Sequence, residues 1–395
     1  MVIGIVTPFV YPHDQEIRVR KLAYSFNKAG YSIHVLCDSD EKLFELVDSD
    51  GIPVHRISFL NGIRKIHHLA HSPFPFNPVW YVWLLFISKK LKIKTFIVRD
   101  LRLSLPVVII GKLTGIHTIA DLGENFPAMH RFLDKSKIYI YMVETLENIA
   151  VLLADSIQVV TEENKSRLIK KFPSAVKKIE ILTNAPMLSM LPLQKIIIMP
   201  EAFDDANECL KLVFIGLVDE FRGLELVLDA LTFLEDDGIK YLLTIIGDGP
   251  HLPFIRNLAV IKGISRNVIY KGWISDNKYV ELQNHHIGLV PHVDCELTQT
   301  TIPNKVFDYM SIGLPVLTTH LKPVAQIVHE TRCGWIIPHE AAAMAGCLKK
   351  IILNTNELYF RGQNGYRAVI EKYNWESQME PILKHIKSIS TQYSL

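Results

Sequence analysis

The chain has 395 residues, 49% hydrophobic and 21% charged, and its 43 Lys+Arg against 41 Asp+Glu give a net charge of +2. This excludes a disordered or fibrous chain, and so even a balance speaks against nucleic acid as a partner. The length accommodates two domains with separate cores.

The chain opens with MVIGIVTPFV, which predicts a strand over 2–6 with no charged leader, so no signal peptide is expected. A helix follows over Ile17–Lys28 and stops at Ala-Gly. Further strands are predicted over 32–37, 53–57, 95–100, 117–121 and 156–161. The D-S-D triplets at 38–40 and 48–50 fall in loops beside early strands and are not read as metal sites. Residues 61–94 combine Arg64, Lys65, Lys89, Lys90, Lys92 and Lys94 with Trp80, Trp83 and Phe86. This is either a core helix with a solvated basic end or a peripheral contact with an anionic membrane. The longest apolar run, Val79–Ile87, is too short to span a bilayer, which needs roughly 20 residues.

Asn184–Glu208 is rich in Pro and Met without periodicity and reads as a linker. The second half repeats the alternation, with strands over 210–216, 240–247, 267–272, 287–291, 315–319 and 334–338. The fold expected is α/β: two Rossmann-like doubly wound domains facing across a cleft, with ligands beyond the carboxyl ends of the strands. Cys37, Cys209, Cys295, Cys333 and Cys347 are scattered with no C-x-x-C pair, as in a reduced cytoplasmic protein. The pairs His67-His68 and His285-His286 lack metal-site spacing, so no metal is expected.

Three stretches carry chemistry. In FIGLVDEFRGLELVLDAL (214–231), Gly216 makes a sharp turn and Arg222-Gly223 precedes a helix, where a forked cation suits phosphate; a solvated surface arginine is the alternative. In LTIIGDGPH (243–251), Gly247 and Gly249 suggest backbone held close to something. In TTIPNKVFDYMSIGLPVL (300–317), Thr300, Thr301 and Asn304 are candidate caps, and Lys305 and Asp308 share a helix face. Taken alone, Lys305 and Asp308 make a surface ion pair; two cations near helix starts in one half suggest a diphosphate leaving group instead.

These motifs, with YKGWIS (270–275), resemble glycosyltransferase family 4 of the two-lobed GT-B fold. HDQEIRVRKLAYSF, ADLGENFPAM, ADSIQVVTEENKSRL and NWESQ extend the resemblance over nearly the whole chain. It implies an acceptor-side domain over 1–185 completed by a C-terminal helix over 375–395, a linker over 186–208, and a nucleotide-sugar domain over 209–374. It also implies a retaining transferase in bacterial surface polysaccharide assembly, working in the cytoplasm at the inner face of the membrane. The donor would be a UDP or GDP sugar, used without metal or other cofactor, and the acceptor a glycan or lipid-linked glycan.

By the resemblance, Arg222 and Lys305 neutralise the diphosphate, Asp308 binds the ribose, and Trp273 and Ile274 hold the base. Gly216, Gly247, Gly249, Thr301 and Asn304 complete the donor site. Thr300 stands where the family has a sugar-binding glutamate, and Gly123 where it has a histidine. Glu124 and Asp121 are the candidate catalytic contacts, and His13 and Arg18 lie on the acceptor side. A non-catalytic sugar-nucleotide-binding subunit and a GT-B epimerase remain alternatives.

Overall fold

A computed structural model describes residues 1–12, 16–39, 45–57, 74–191, 209–274 and 278–392. His13, His67, His68, Ser275 and the linker residues 192–208 therefore lie outside the described residues. The chain forms two compact units, Met1–Asn184 with Gln378–Leu395, and Ala185–Ser377.

The first unit holds an eight-stranded sheet, β1 (Val2–Val10), β2 (Ser32–Asp38), β3 (Glu45–Val47), β4 (Pro53–Arg56), β5 (Thr95–Arg99), β6 (His117–Leu122), β7 (Ser156–Val159) and β8 (Ile179–Ile181). The order is β3-β4-β2-β1-β5-β6-β7-β8, and only the β3–β4 pair is antiparallel. Of the D-S-D triplets, expected in loops, Asp38 instead ends strand β2, and the second lies between β3 and β4. Asp48 accepts from the Tyr11 hydroxyl at 2.7 Å and from two turn amides, so the second triplet is a hairpin turn. Asp40 lies outside the described residues.

Helix Pro78–Leu91 buries Trp80 and Trp83 in the core, while Val82 and Phe86 face out. The two tryptophans are thus core residues and not part of a surface aromatic patch. Among the described residues no helix is long and apolar enough to cross a membrane. All five cysteines are free thiols.

The second unit holds six parallel strands, β9 (Leu210–Ile215), β10 (Tyr241–Ile246), β11 (Val268–Gly272), β12 (Ile287–Val290), β13 (Val316–Thr319) and β14 (Gly334–Ile337), ordered β11-β10-β9-β12-β13-β14. The chain runs outward from β9 to one edge, returns, and runs from β12 to the other. The topological switch therefore falls between β9 and β12, where α/β sheets open a ligand crevice. These two strands pair only at Ile287 with Leu212 and Gly288 with Val213, then diverge. Such strands are apolar throughout because helices cover both faces, and Leu212, Phe214, Ile287 and Leu289 are fully buried.

Candidate functional site

In the second unit, the helix Lys305–Ser311 is locked to the switch point by Tyr309. The Tyr309 hydroxyl accepts the Ile215 amide at 3.1 Å, and the Val213 and Leu289 carbonyls lie within its donor reach at 3.3 and 3.4 Å. It thereby occupies the polar gap left where β9 and β12 part. A side chain at Gly288 would stand 2.3 Å from the Tyr309 ring, so β12 must carry glycine there. Gly313, at φ +75°, ends the helix.

Lys305 sits four residues before Tyr309 and so faces the same crevice. It is 6% exposed, its Nζ lies 3.3 Å from the Phe214 ring centroid, and among the described residues no hydrogen-bond partner reaches that nitrogen. Burial, and then the Arg222 cation, push its pKa well below the ordinary 10.5, with Asp308 opposing. Cation–π contact compensates only part of a buried charge.

Lys305 and Asp308 are not a surface ion pair. Asp308 accepts from Lys278 Nζ at 2.8 Å and from the Tyr279 hydroxyl at 3.3 Å. The expected caps also differ. The Asn304 side chain makes no capping bond, and the Thr300 and Thr301 hydroxyls donate back to carbonyls of residues 296–297. A hydroxyl one turn ahead of the helix finds those carbonyls before it can reach the helix amides.

Arg222 ends the short turn Glu220–Arg222 ahead of helix Leu224–Asp236. Its guanidinium stacks 4.3 Å from the Phe221 centroid, and Nη1 meets His292 Nε2 at 3.4 Å. His292 follows β12, is buried, and stays neutral because burial, then Arg222 and Lys305, hold its pKa well below 6.5. Sequence reasoning missed His292; its signal was a polar residue two positions past a fully buried strand. Arg222, His292 and Lys305 thus gather at one switch point.

The glycine turns hold backbone close, as expected, and what they approach is other backbone. A Cβ on Gly247 would lie 1.9 Å from the Gly216 carbonyl oxygen, and one on Gly249 would lie 2.1 Å from that of Val218. The amides of Gly216 and Val218 bond the carbonyls of Ile246 and Asp248 at 2.8 and 2.9 Å. What approaches the 247–249 turn is the neighbouring turn's backbone. Gly216 itself leaves room beside Lys305, whose Nζ would be 3.7 Å from an added Cβ. Past β11, Trp273 is 59% exposed and Ile274 half-buried.

In the first unit the acids and bases meet at the carboxyl ends of β5 and β6. Asp121 is fully buried and accepts two 2.7 Å bonds from Arg18, which also donates to the Leu182 carbonyl at 3.0 Å. Burial alone would raise the Asp121 carboxyl; Arg18 reverses that and holds it below the usual carboxylate range. Asp121 and Arg18 are thus paired, with Arg99 Nε 3.9 Å from the same carboxylate.

Asn125, not Asp121 or Glu124, caps the next helix by accepting the Ala128 amide at 3.2 Å. Arg99, also missed from sequence, projects over Gly123: a Cβ there would lie 2.9 Å from Arg99 Nη1. Burial opposes the Arg99 charge, but Asp121, Glu124, Glu16 and Asp100 outweigh it. Glu124 remains half-buried beside this group.

Residues 209–354 match the family model described as "Glycosyl transferases group 1". A putative colanic acid biosynthesis glycosyltransferase, WcaL of Escherichia coli K12, is 25% identical over 153 residues; the match spans 38% of this chain and 38% of that protein. Among solved structures, sucrose-phosphate synthase from Thermosynechococcus elongatus aligns with TM-score 0.78 at 13% identity, over 99% of this chain and 100% of that one. Anabaena HepE in complex with UDP aligns with TM-score 0.74 at 12% identity, over 98% and 100%. The fold is the GT-B fold of glycosyltransferases, built from two Rossmann-like domains.

Proposed function

We propose that this protein is a glycosyltransferase that moves a sugar from a nucleoside-diphosphate sugar to a glycan or lipid-linked acceptor in surface polysaccharide assembly. The observation that carries the reading is Lys305 Nζ: a buried amine with no hydrogen-bond acceptor among the described residues, gathered with Arg222 at the β9/β12 switch point. A buried amine without a counter-charge costs stability, and a diphosphate supplies the missing acceptor. The family match over 209–354 and the UDP held by the structurally similar Anabaena HepE support the same ligand.

In this reading Arg222 and Lys305 neutralise the charge that develops on the departing diphosphate, so no metal is needed. Asp308, held by Lys278 and Tyr279, accepts the ribose hydroxyls, and Trp273 and Ile274 bound the base. Transfer proceeds with retention, the leaving phosphate taking the acceptor's proton, and Glu124 contacts acceptor or donor sugar. The transferred group is of hexosyl or N-acetylhexosaminyl type.

The reaction runs in the cytoplasm at the inner membrane face. There the exposed Val82 and Phe86, with Lys89, Lys90, Lys92 and Lys94, meet anionic lipid. Co-sedimentation with anionic liposomes checks that contact, and its absence removes the membrane from the proposal.

A panel of UDP and GDP sugars, scored for binding and for turnover, tests the core reading. Binding should be lost in Lys305→Ala and Arg222→Ala, and wild-type-like binding in both variants would overturn it. Binding without turnover on any acceptor would favour a non-catalytic subunit, a reading kept open by Arg99 standing over Gly123.

A further inference from the structure

The nitrogens at the β9/β12 switch point cannot all carry charge before a ligand arrives. Lys305 Nζ is buried against the Phe214 ring with no acceptor among the described residues, and the Arg222 guanidinium shares the site. Asp308, the acid nearest Lys305 in sequence, is already bonded to the Lys278 ammonium. His292 is buried, with Nε2 turned toward Arg222 Nη1 at 3.4 Å. An arginine has no lone pair to offer, so Arg222 donates and His292 Nε2 must accept, which fixes the imidazole as neutral.

We propose that the diphosphate site is charged by its own ligand: a nucleoside diphosphate binds together with one proton, which Lys305 takes up, while neutral His292 acts as the positioning residue that holds Arg222. This rests on the donor reading above and deepens it. The proton leaves a buffer acid and forms an N–H bond on the Lys305 amine lone pair, and no bond of the nucleotide is broken. The ammonium then donates to diphosphate oxygens in a site the nucleotide has sealed from water, where such bonds are strongest.

The direction of the Lys305 pKa agrees, lying well below 10.5 through burial first and then the Arg222 charge. The charged groups facing Lys305 are Arg222, which opposes protonation, and Asp308, which favours it but is shared with Lys278. His292 faces the Arg222 guanidinium and Lys305, and burial first, then these neighbours, lower its proton affinity too.

The test is isothermal titration of the full chain with UDP and with GDP from pH 6.5 to 9.5, in pairs of buffers with different ionisation heats. Above the free-state pKa of Lys305 the binding enthalpy should differ between buffers by about one proton's worth, vanishing at the acid end. Lys305→Arg should bind with no proton uptake at any pH, because guanidinium stays charged. His292→Leu should weaken binding about tenfold, the loss of one charge-assisted hydrogen bond. His292→Gln, which restores an acceptor for Arg222, should recover it.

Measurable wild-type binding with buffer-independent enthalpy at every pH overturns proton uptake while leaving the donor reading standing. Uptake that persists in Lys305→Arg overturns the assignment to Lys305. A His292→Gln variant as weak as His292→Leu overturns the role of His292. If neither nucleotide binds the wild-type chain, the donor reading falls and this inference with it.

Discussion

Each unit buries a basic side chain near the carboxyl ends of its strands, Arg18 in the first and Lys305 in the second, and these two are answered in opposite ways. Arg18 in the first unit is matched by the fully buried Asp121 through two 2.7 Å bonds. Lys305 in the second lies against an aromatic face and, among the described residues, has no acceptor. A buried pair whose members answer each other belongs to the fold's own stability, whereas a buried amine left unanswered is kept at a cost and marks a place for a ligand. Asp121 drew attention in sequence because it ends a strand beside Glu124; its partner stands 103 residues earlier.

Breaking the satisfied pair should have the largest effect. Asp121→Ala strands a buried guanidinium and should cost about 3–5 kcal/mol in a urea unfolding titration. A loss under 1 kcal/mol would mean the pair is not what holds β6 to the helix carrying Arg18. Next in size, Gly288→Ala forces a methyl against the Tyr309 ring and should cost about 1–3 kcal/mol. Because Tyr309 places Lys305, nucleotide binding should fall along with stability.

The contrast also has a pH signature. The folded-state pKa of Lys305 lies below its unfolded value near 10.5, so between the two the unfolded chain holds the extra proton. Stability from this group should therefore rise with pH through that window and be lowest beneath it. Urea midpoints across pH 7–10 should show this rising limb in wild type, and Lys305→Met should lack it. On the acid side, burial lowers His286 to about 4 and His292 well below 6.5, so both erode stability as pH falls through 6.5. His292→Leu should flatten part of that loss, the smallest of these effects.

Much of the scaffold was legible in sequence because buried parallel strands read as apolar β-branched runs, and all twelve expected strands are present. β3 and β8 were not foreseen: at three residues each they are too short to show periodicity, and β1 runs on to Val10 through a stretch with no apolar alternation. Helix Lys305–Ser311 was legible from its Pro and Gly borders, and Val306, Tyr309 and Met310 do pack inward.

Partners across sequence distance were not legible. Nothing local says that Asp308 belongs to Lys278 or that Arg99 fills the space over Gly123. Nor does it say that the GDG turn is tight because the Gly216 carbonyl lies against it. Such facts depend on which strand ends the topology brings side by side. His292 was missed for the same reason.

The most direct measurement is the affinity of the full chain for UDP and GDP in wild type and in Lys305→Met, with unfolding followed on the same samples. Replacing an unsatisfied buried amine by an apolar chain of similar length should leave stability equal or higher. Binding of whichever nucleotide the wild type takes should weaken about 100-fold, roughly 2.7 kcal/mol. A Lys305→Met chain that binds that nucleotide as tightly as wild type, or that loses stability as Asp121→Ala does, would contradict the assignment of Lys305 as a ligand-answered cation.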